Sequence, residues 1–206
     1  MSNSQSSSIL SKFSLKSNPM RNVIYSINLT LDGCCDHTKM DGGNDEVYDY
    51  FTQLIQDTDT VVYGRITYQL MVPFWPDIAK NNSGQTKAMN DFAQALDSVD
   101  NTIVFSRSLE KVEGKNTRIV RSNLQDEILK LKQEQGKNIL LDGVTLSSQL
   151  LGDGLIDEYR IVVHPVIVGE GRRLFNDVSL QEKIPLKLAE SKVFKTGCIA
   201  LRYLKQ

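Results

Sequence analysis

The sequence predicts an α/β domain over residues 21–206: a mostly parallel sheet with helices on both faces and an antiparallel element at its C-terminal edge. Three observations carry this. Strand-like and helix-like segments alternate over most of the chain. Short apolar runs such as "TVVYG" and "NILLDG" suit strands buried on both faces. The last stretch, "LKLAESKVFKTGCIALRYLK", contains two strand patterns joined by a turn at Lys195 to Gly197, which is the pattern of a hairpin.

The elements follow in order. "NVIYSINLTLDG" alternates at its end, with Ile27, Leu29 and Leu31 on one face and Asn28 and Thr30 on the other, and closes on the turn signal Asp32-Gly33. "NDEVYDYFTQLIQ" offers Asn44 as a cap, acids in the first turn, and apolar residues at Val47, Tyr50 or Phe51, Leu54 and Ile55, so it is an amphipathic helix. "DTVVYGRITYQLM" gives a buried strand, a glycine turn and a helix starting near Thr67. A helix at "TKAMNDFAQAL" leads to the strand "NTIVFSRS", and "NTRIVRSN" is another strand. A helix from Leu124 to Gln135, the strand "KNILLDG", the helix "VTLSSQLLGDG" and a long strand around "DEYRIVVHPVIVG" complete the alternation.

Composition narrows the function classes. With 24 basic and 25 acidic side chains the net charge is −1, so no global field draws the protein to nucleic acid. No apolar run reaches the length of a membrane-spanning helix. Residues 1–20 are Ser-rich with scattered Lys and lack the apolar centre of a secretory signal; they are too poor in Arg for a transit peptide and are expected to be a disordered leader. Three cysteines without a secretory signal imply free thiols in a reducing, cytoplasmic setting.

Ligands of open α/β sheets bind beyond the carboxyl ends of strands, and three junctions there carry suitable groups. Gly64-Arg65-Ile66-Thr67 combines a flexible turn, a guanidinium and a hydroxyl at a helix start, which together suit an anion. Ser106-Arg107-Ser108 sets two hydroxyls around a guanidinium, and Gly143-Val144-Thr145-Leu146 opens a helix with a glycine that admits close backbone approach. Taken singly, a strand-Gly-Arg turn is more often only a turn with a solvated arginine. Three along one sheet edge imply a ligand with several phosphates, such as a dinucleotide. "GEGRRL", Gly169 to Leu174, lacks the third glycine of a dinucleotide fingerprint and is a loop.

The order of "INLTLDG", "DTVVYGRITYQLM", "IVFSRS", "ILLDGVTLSSQLL" and "LIDEYRIVVHPVIVGEGRRLF" resembles the dihydrofolate reductase superfamily, in particular the branch of the C-terminal reductase domain of riboflavin biosynthesis. The resemblance covers residues 21 to 205. It implies a three-layer α/β/α fold, NADPH as cofactor, a small pterin-like, pyrimidine-like or carbonyl substrate, and a homodimer. It places Arg65 near the 2′-phosphate, Thr67 at the diphosphate, Ser106, Arg107 and Ser108 at the adenosine phosphate, and Gly143 to Leu146 at the diphosphate. Asp142 departs from the pattern, since dihydrofolate reductases have glycine there; a carboxylate fits only if it points away from phosphate. The competing class is a non-catalytic nucleotide-binding or oligomeric module on the same fold.

"LDGCCDHTKMDGG", Leu31 to Gly43, is the stretch that in this family covers nicotinamide and substrate. Vicinal cysteines with no second Cys/His pair are poor zinc ligands, and a vicinal disulfide is sterically awkward, so no metal is expected. The expectation is a lid hinged at Gly33, Gly42 and Gly43. For the acid that supplies a proton, Glu46 and Asp49 lie on the helix where dihydrofolate reductases carry theirs, and Asp32 at the first strand's end is the rival.

Overall fold

The computed structural model describes residues 20–40, 44–176 and 178–206. The expected leader, apart from Met20, and the hinge glycines Gly42 and Gly43 lie outside the described residues. The strands are β1 (Val23–Thr30), β2 (Thr58–Gly64), β3 (Asn101–Phe105), β4 (Thr117–Val120), β5 (Asn138–Asp142), β6 (Glu158–His164), β7 (Leu186–Val193) and β8 (Ile199–Lys205). They form one sheet in the order β4-β3-β2-β5-β1-β6-β8-β7. The first six are mutually parallel; β8 runs antiparallel to β6 and β7 antiparallel to β8.

The helices are α1 (Asp45–Gln56), α2 (Arg65–Met71), α3 (Trp75–Asn81), α4 (Lys87–Asp97), α5 (Leu124–Gln133) and α6 (Val144–Leu151). Side chains alternate across each strand, and the two faces bury separate cores. Val23, Tyr25, Val62, Ile103, Ile139 and Leu141 pack under α5 and α6. Ile24, Val61, Tyr63, Val104 and Leu140 pack under α1, α2 and α4. This is the expected three-layer arrangement.

Local chemistry accounts for the helix ends. Asn44 accepts a hydrogen bond from the Val47 N–H, with Asp45 and Glu46 in the first turn, and α1 buries Val47, Tyr50, Leu54 and Ile55. Thr86 and Asn123 cap α4 and α5 in the same way. Two elements differ from the sequence expectation. The short helix α3 was not foreseen; Pro76 sits in its first turn, where a missing N–H costs no bond, and Asn82 ends it in the left-handed region. The strand expected to run to Gly169 stops at His164 because Pro165 cannot donate to the ladder.

The amino ends of the strands are stitched by buried ion pairs. Arg21 pairs with Asp59 and donates to Thr60, while Lys132 pairs with Asp157, whose carboxylate also accepts from the Val23 N–H at 2.8 Å. Among the described residues the carboxyl ends have no comparable stitching across β2, β3 and β5, and they open into cavities. No helix among the described residues is long and apolar enough to cross a membrane.

Candidate active site

Two adjoining cavities lie at the carboxyl ends of the parallel strands. The larger, about 1070 Å³, spans the ends of β2, β3, β4 and β5. Gly64, Arg65, Ile66, Thr67, Ser106, Arg107, Ser108, Gly143, Val144, Thr145 and Leu146, the residues expected from the sequence to hold a cofactor, all line it. The smaller, about 570 Å³, lies beneath α1 and over the ends of β5, β1 and β6. Cys35, His37, Thr67, Leu70, Gly143 and Val144 face both cavities, so they form the passage between them.

The passage is narrow because two turns touch. Gly143 has φ +122°, and a Cβ there would stand 3.1 Å from Thr67 Oγ1 and 3.5 Å from the Gly64 N. The positive φ is strained for any other residue, and a side chain there would press on the Thr67 hydroxyl, so glycine suits the position. It leaves a slot floored by main chain, beside the start of α6, suited to a thin anionic chain such as a diphosphate. Ser106 Oγ accepts from the N–H groups of Ser108 and Leu109 at 3.2 and 3.0 Å, so this hydroxyl shapes the turn that presents Arg107.

Sequence reasoning missed a fourth junction. Arg121, Ser122 and Asn123, between β4 and α5, also line the larger cavity, as does Arg172, which donates to Thr145 Oγ1 at 3.2 Å. Arg65, Arg107, Arg121 and Arg172 are all exposed, and no carboxylate pairs with any of them among the described residues. "NTRIVRSN" carried the signal, since it repeats the strand-Arg-Ser ending of "NTIVFSRS". Arg172 was hidden in a loop far along the chain.

The smaller cavity is built differently. Tyr48, Phe51, Phe74, Trp75 and Phe92 wall it, with Trp75 and Phe92 edge to face at a centroid distance of 4.6 Å and Tyr48 at 5.8 Å from Trp75. Its polar floor comes from Ser26, Asn28, Asp142 and His164, with His164 Nε2 3.0 Å from Asn28 Oδ1. Asp142 lies on the same strand face as Leu140, directed beneath α1 and away from the larger cavity. That placement reconciles an acid with the glycine-bearing turn beside it. Protein packed round the carboxyl pushes it up to about 7, against stabilisation from the Gly143 N–H.

None of the three carboxylates singled out from the sequence lines either cavity. Asp32 accepts from Thr30 Oγ1 at 2.6 Å and from the Gly169 N–H at 3.0 Å, and pairs with Arg173 at 3.2 Å; these contacts hold its carboxyl well below the usual range. Its work is to fasten the 168–173 loop. Glu46 accepts from the Lys195 N–H at 2.7 Å, and Asp49 is exposed on α1.

The loop after β1 is bonded to a second loop. Cys34 is buried, and its carbonyl accepts from the Thr30 N–H at 2.9 Å. The Cys35 N–H donates to the Arg172 carbonyl at 2.8 Å, and the Leu174 N–H to Gly33 at 3.2 Å. Lys39 pairs with Glu170 at 2.5 Å. Residues 33–39 and 169–174 therefore form one two-layered flap at the passage. The three thiols are unpaired, and among the described residues no group of three or more His, Cys, Asp or Glu side chains could hold a metal ion.

Sheet order, crossing helices and paired cavities define an α/β domain of the dihydrofolate reductase type. Comparison with known proteins sharpens this: the RibD C-terminal domain family matches residues 21–200, and the chain belongs to it. The uncharacterized protein YyaP of Bacillus subtilis is 31% identical over 192 residues, covering 89% of this chain and 94% of YyaP. YwjB of the same organism, also uncharacterized, is 26% identical over 81% of this chain and 90% of its own length. Among solved structures, the fold is shared with a putative riboflavin biosynthesis protein of Shewanella sp. PV-4 (TM-score 0.68, 21% identity, 90% of this chain and 99% of that one). It is shared too with the deaminase/5-amino-6-(5-phosphoribosylamino)uracil reductase of Thermotoga maritima (TM-score 0.61, 17% identity, 91% of this chain and 57% of that one).

Proposed function

We propose that the protein is an NADPH-dependent reductase of a small heterocyclic or carbonyl substrate, working as a homodimer. The observation that carries this is the meeting of a four-arginine cavity with an aromatic one across the Thr67 and Gly143 contact. Membership of a family named for a reductase-bearing protein supports it. The residues present fit the cofactor: Arg65, Arg107 and Arg121 provide guanidinium forks for phosphates, and the Gly143 slot accepts a diphosphate. The cofactor, when bound, supplies a hydride. The chain's part is to fix two rings in contact and, through the flap over the passage, to keep water out.

A titration of NADPH and NADH against wild type and Arg65→Ala tests the cofactor assignment. A charge-assisted contact to phosphate contributes about 1.5–3 kcal/mol, so the variant should bind NADPH roughly tenfold or more weakly and NADH almost as before. Equal loss for both cofactors removes Arg65 from the 2′-phosphate, and absence of binding by wild type removes the reading. A metabolite screen following NADPH absorbance then separates a reductase from a nucleotide-binding module without turnover.

A further inference from the structure

The two cavities differ in charge. Four arginines face the larger one, whereas no lysine or arginine is found among the residues lining the smaller one. Among the described residues its only carboxylate is Asp142, and no ion-pair partner of it is found there. The other titratable side chains there are Cys35, His37, Tyr48, Tyr63 and His164; the thiol and both phenols are pushed up by burial, so none of them supplies a negative charge near neutrality. Trp75 and Tyr48 line it, their rings edge to face with each other. A phosphate or carboxylate entering this space would leave water for a lining without a fixed cation and with an acid at its floor, which is costly on both counts. A cation would gain from the acid and from the aromatic rings.

From this we infer that the smaller cavity selects a planar heterocycle free of phosphate and carboxylate, held as a cation against Asp142. The inference rests on the reductase reading for its biological sense, because the guest is then the substrate, but the charge preference belongs to the cavity itself. It sets this chain apart from a substrate such as that named for the Thermotoga maritima protein, which bears a phosphoribosyl group. A heterocycle arriving neutral can take the Asp142 proton onto a ring nitrogen: the O–H bond breaks, the N–H bond forms, and a carboxylate and a ring cation remain side by side.

The single tryptophan of the chain, Trp75, stands in this wall and reports occupancy by its fluorescence. Three probes share one ring frame and differ in charge: N-methylquinolinium, quinoline and quinoline-2-carboxylate. At pH 8 the expected order of affinity is cation, neutral, anion, with the cation at least about tenfold tighter than the anion. Asp142→Asn should bring N-methylquinolinium down to the level of quinoline and leave quinoline unchanged. NADPH binding, measured alongside, should persist in the variant because Asp142 does not line the larger cavity. Quinoline-2-carboxylate binding as tightly as the cation, an unchanged order in Asp142→Asn, or no response to any probe at millimolar concentration overturns the inference. Failure of wild type to bind NADPH, with the probe order intact, overturns the reductase reading alone.

Discussion

Asp142 shows how one side chain couples the site to stability. Its carboxyl lies at about 7 in the folded protein against an ordinary 3.8, so the folded state keeps a proton that the unfolded chain has released. The resulting stabilisation is fully present below pH 4 and is lost as pH rises through 7, at up to about 1.4 kcal/mol per pH unit. Asn cannot ionise and escapes this loss. Melting curves of wild type and Asp142→Asn should therefore lie closest near pH 4, draw apart as pH rises from 4 to 7 with the variant melting higher, and keep a constant gap above pH 7; a gap that is the same at every pH would show that the Asp142 carboxyl is not raised in the folded protein. At this scale the residues 64–67, 106–108 and 143–146 that line the larger cavity were legible because each group directly follows a strand, two of them opening a helix, whereas Arg172 follows no such signal. The carboxylates were not, because where Asp32 and Glu46 are held depends on partners over a hundred residues away, such as Gly169 and Lys195.

Among the elements, those with a complete local signal stood clear in the sequence: α1 with its Asn44 cap, α4 with Thr86, β5 with its apolar run. α3 was obscured because "VPFWPD" combines two prolines with aromatics and carries no helical period of its own, its Trp75 packing instead on Phe92 of α4. The flap was obscured for a different reason: Gly33 reads as a hinge and Gly169 and Gly171 as part of a separate loop, yet all three adopt positive φ in a tightly bonded pair of turns. Gly171, at φ +100°, carries the sharpest constraint, since a Cβ there would stand 2.7 Å from Cys34 Sγ. Gly171→Ala should cost about 1–3 kcal/mol in stability and accelerate amide hydrogen exchange at Cys34, Cys35 and Leu174, while α5 exchanges as in wild type. Unaltered exchange at those three amides would mean that the two loops are not one unit.

At the scale of the whole molecule the sheet is asymmetric. The core beneath α5 and α6 reaches Tyr159 of β6 and Tyr203 of β8 but includes no residue of β7. On that face Leu188 pairs beside Tyr203 and Val193 beside Ile199 in the ladder, and Leu188, Val193 and Ile199 are 49%, 72% and 37% exposed. Antiparallel strands ordinarily place polar residues on a solvated face, so an apolar strip at the sheet edge calls for a cover. A second copy of the chain is the cover that agrees with the homodimer proposed above, because a two-fold axis through the strip would bury both copies of these three side chains at once. The strip lies at the opposite end of the sheet from the four-arginine cavity, so the contact would leave cofactor access open. Light scattering should then give twice the chain mass for wild type and the single mass for Leu188→Glu combined with Val193→Glu, with circular dichroism and NADPH affinity retained in the variant. A monomeric wild type, or a dimer that survives both charges, would put the interface elsewhere and leave the strip as exposed surface.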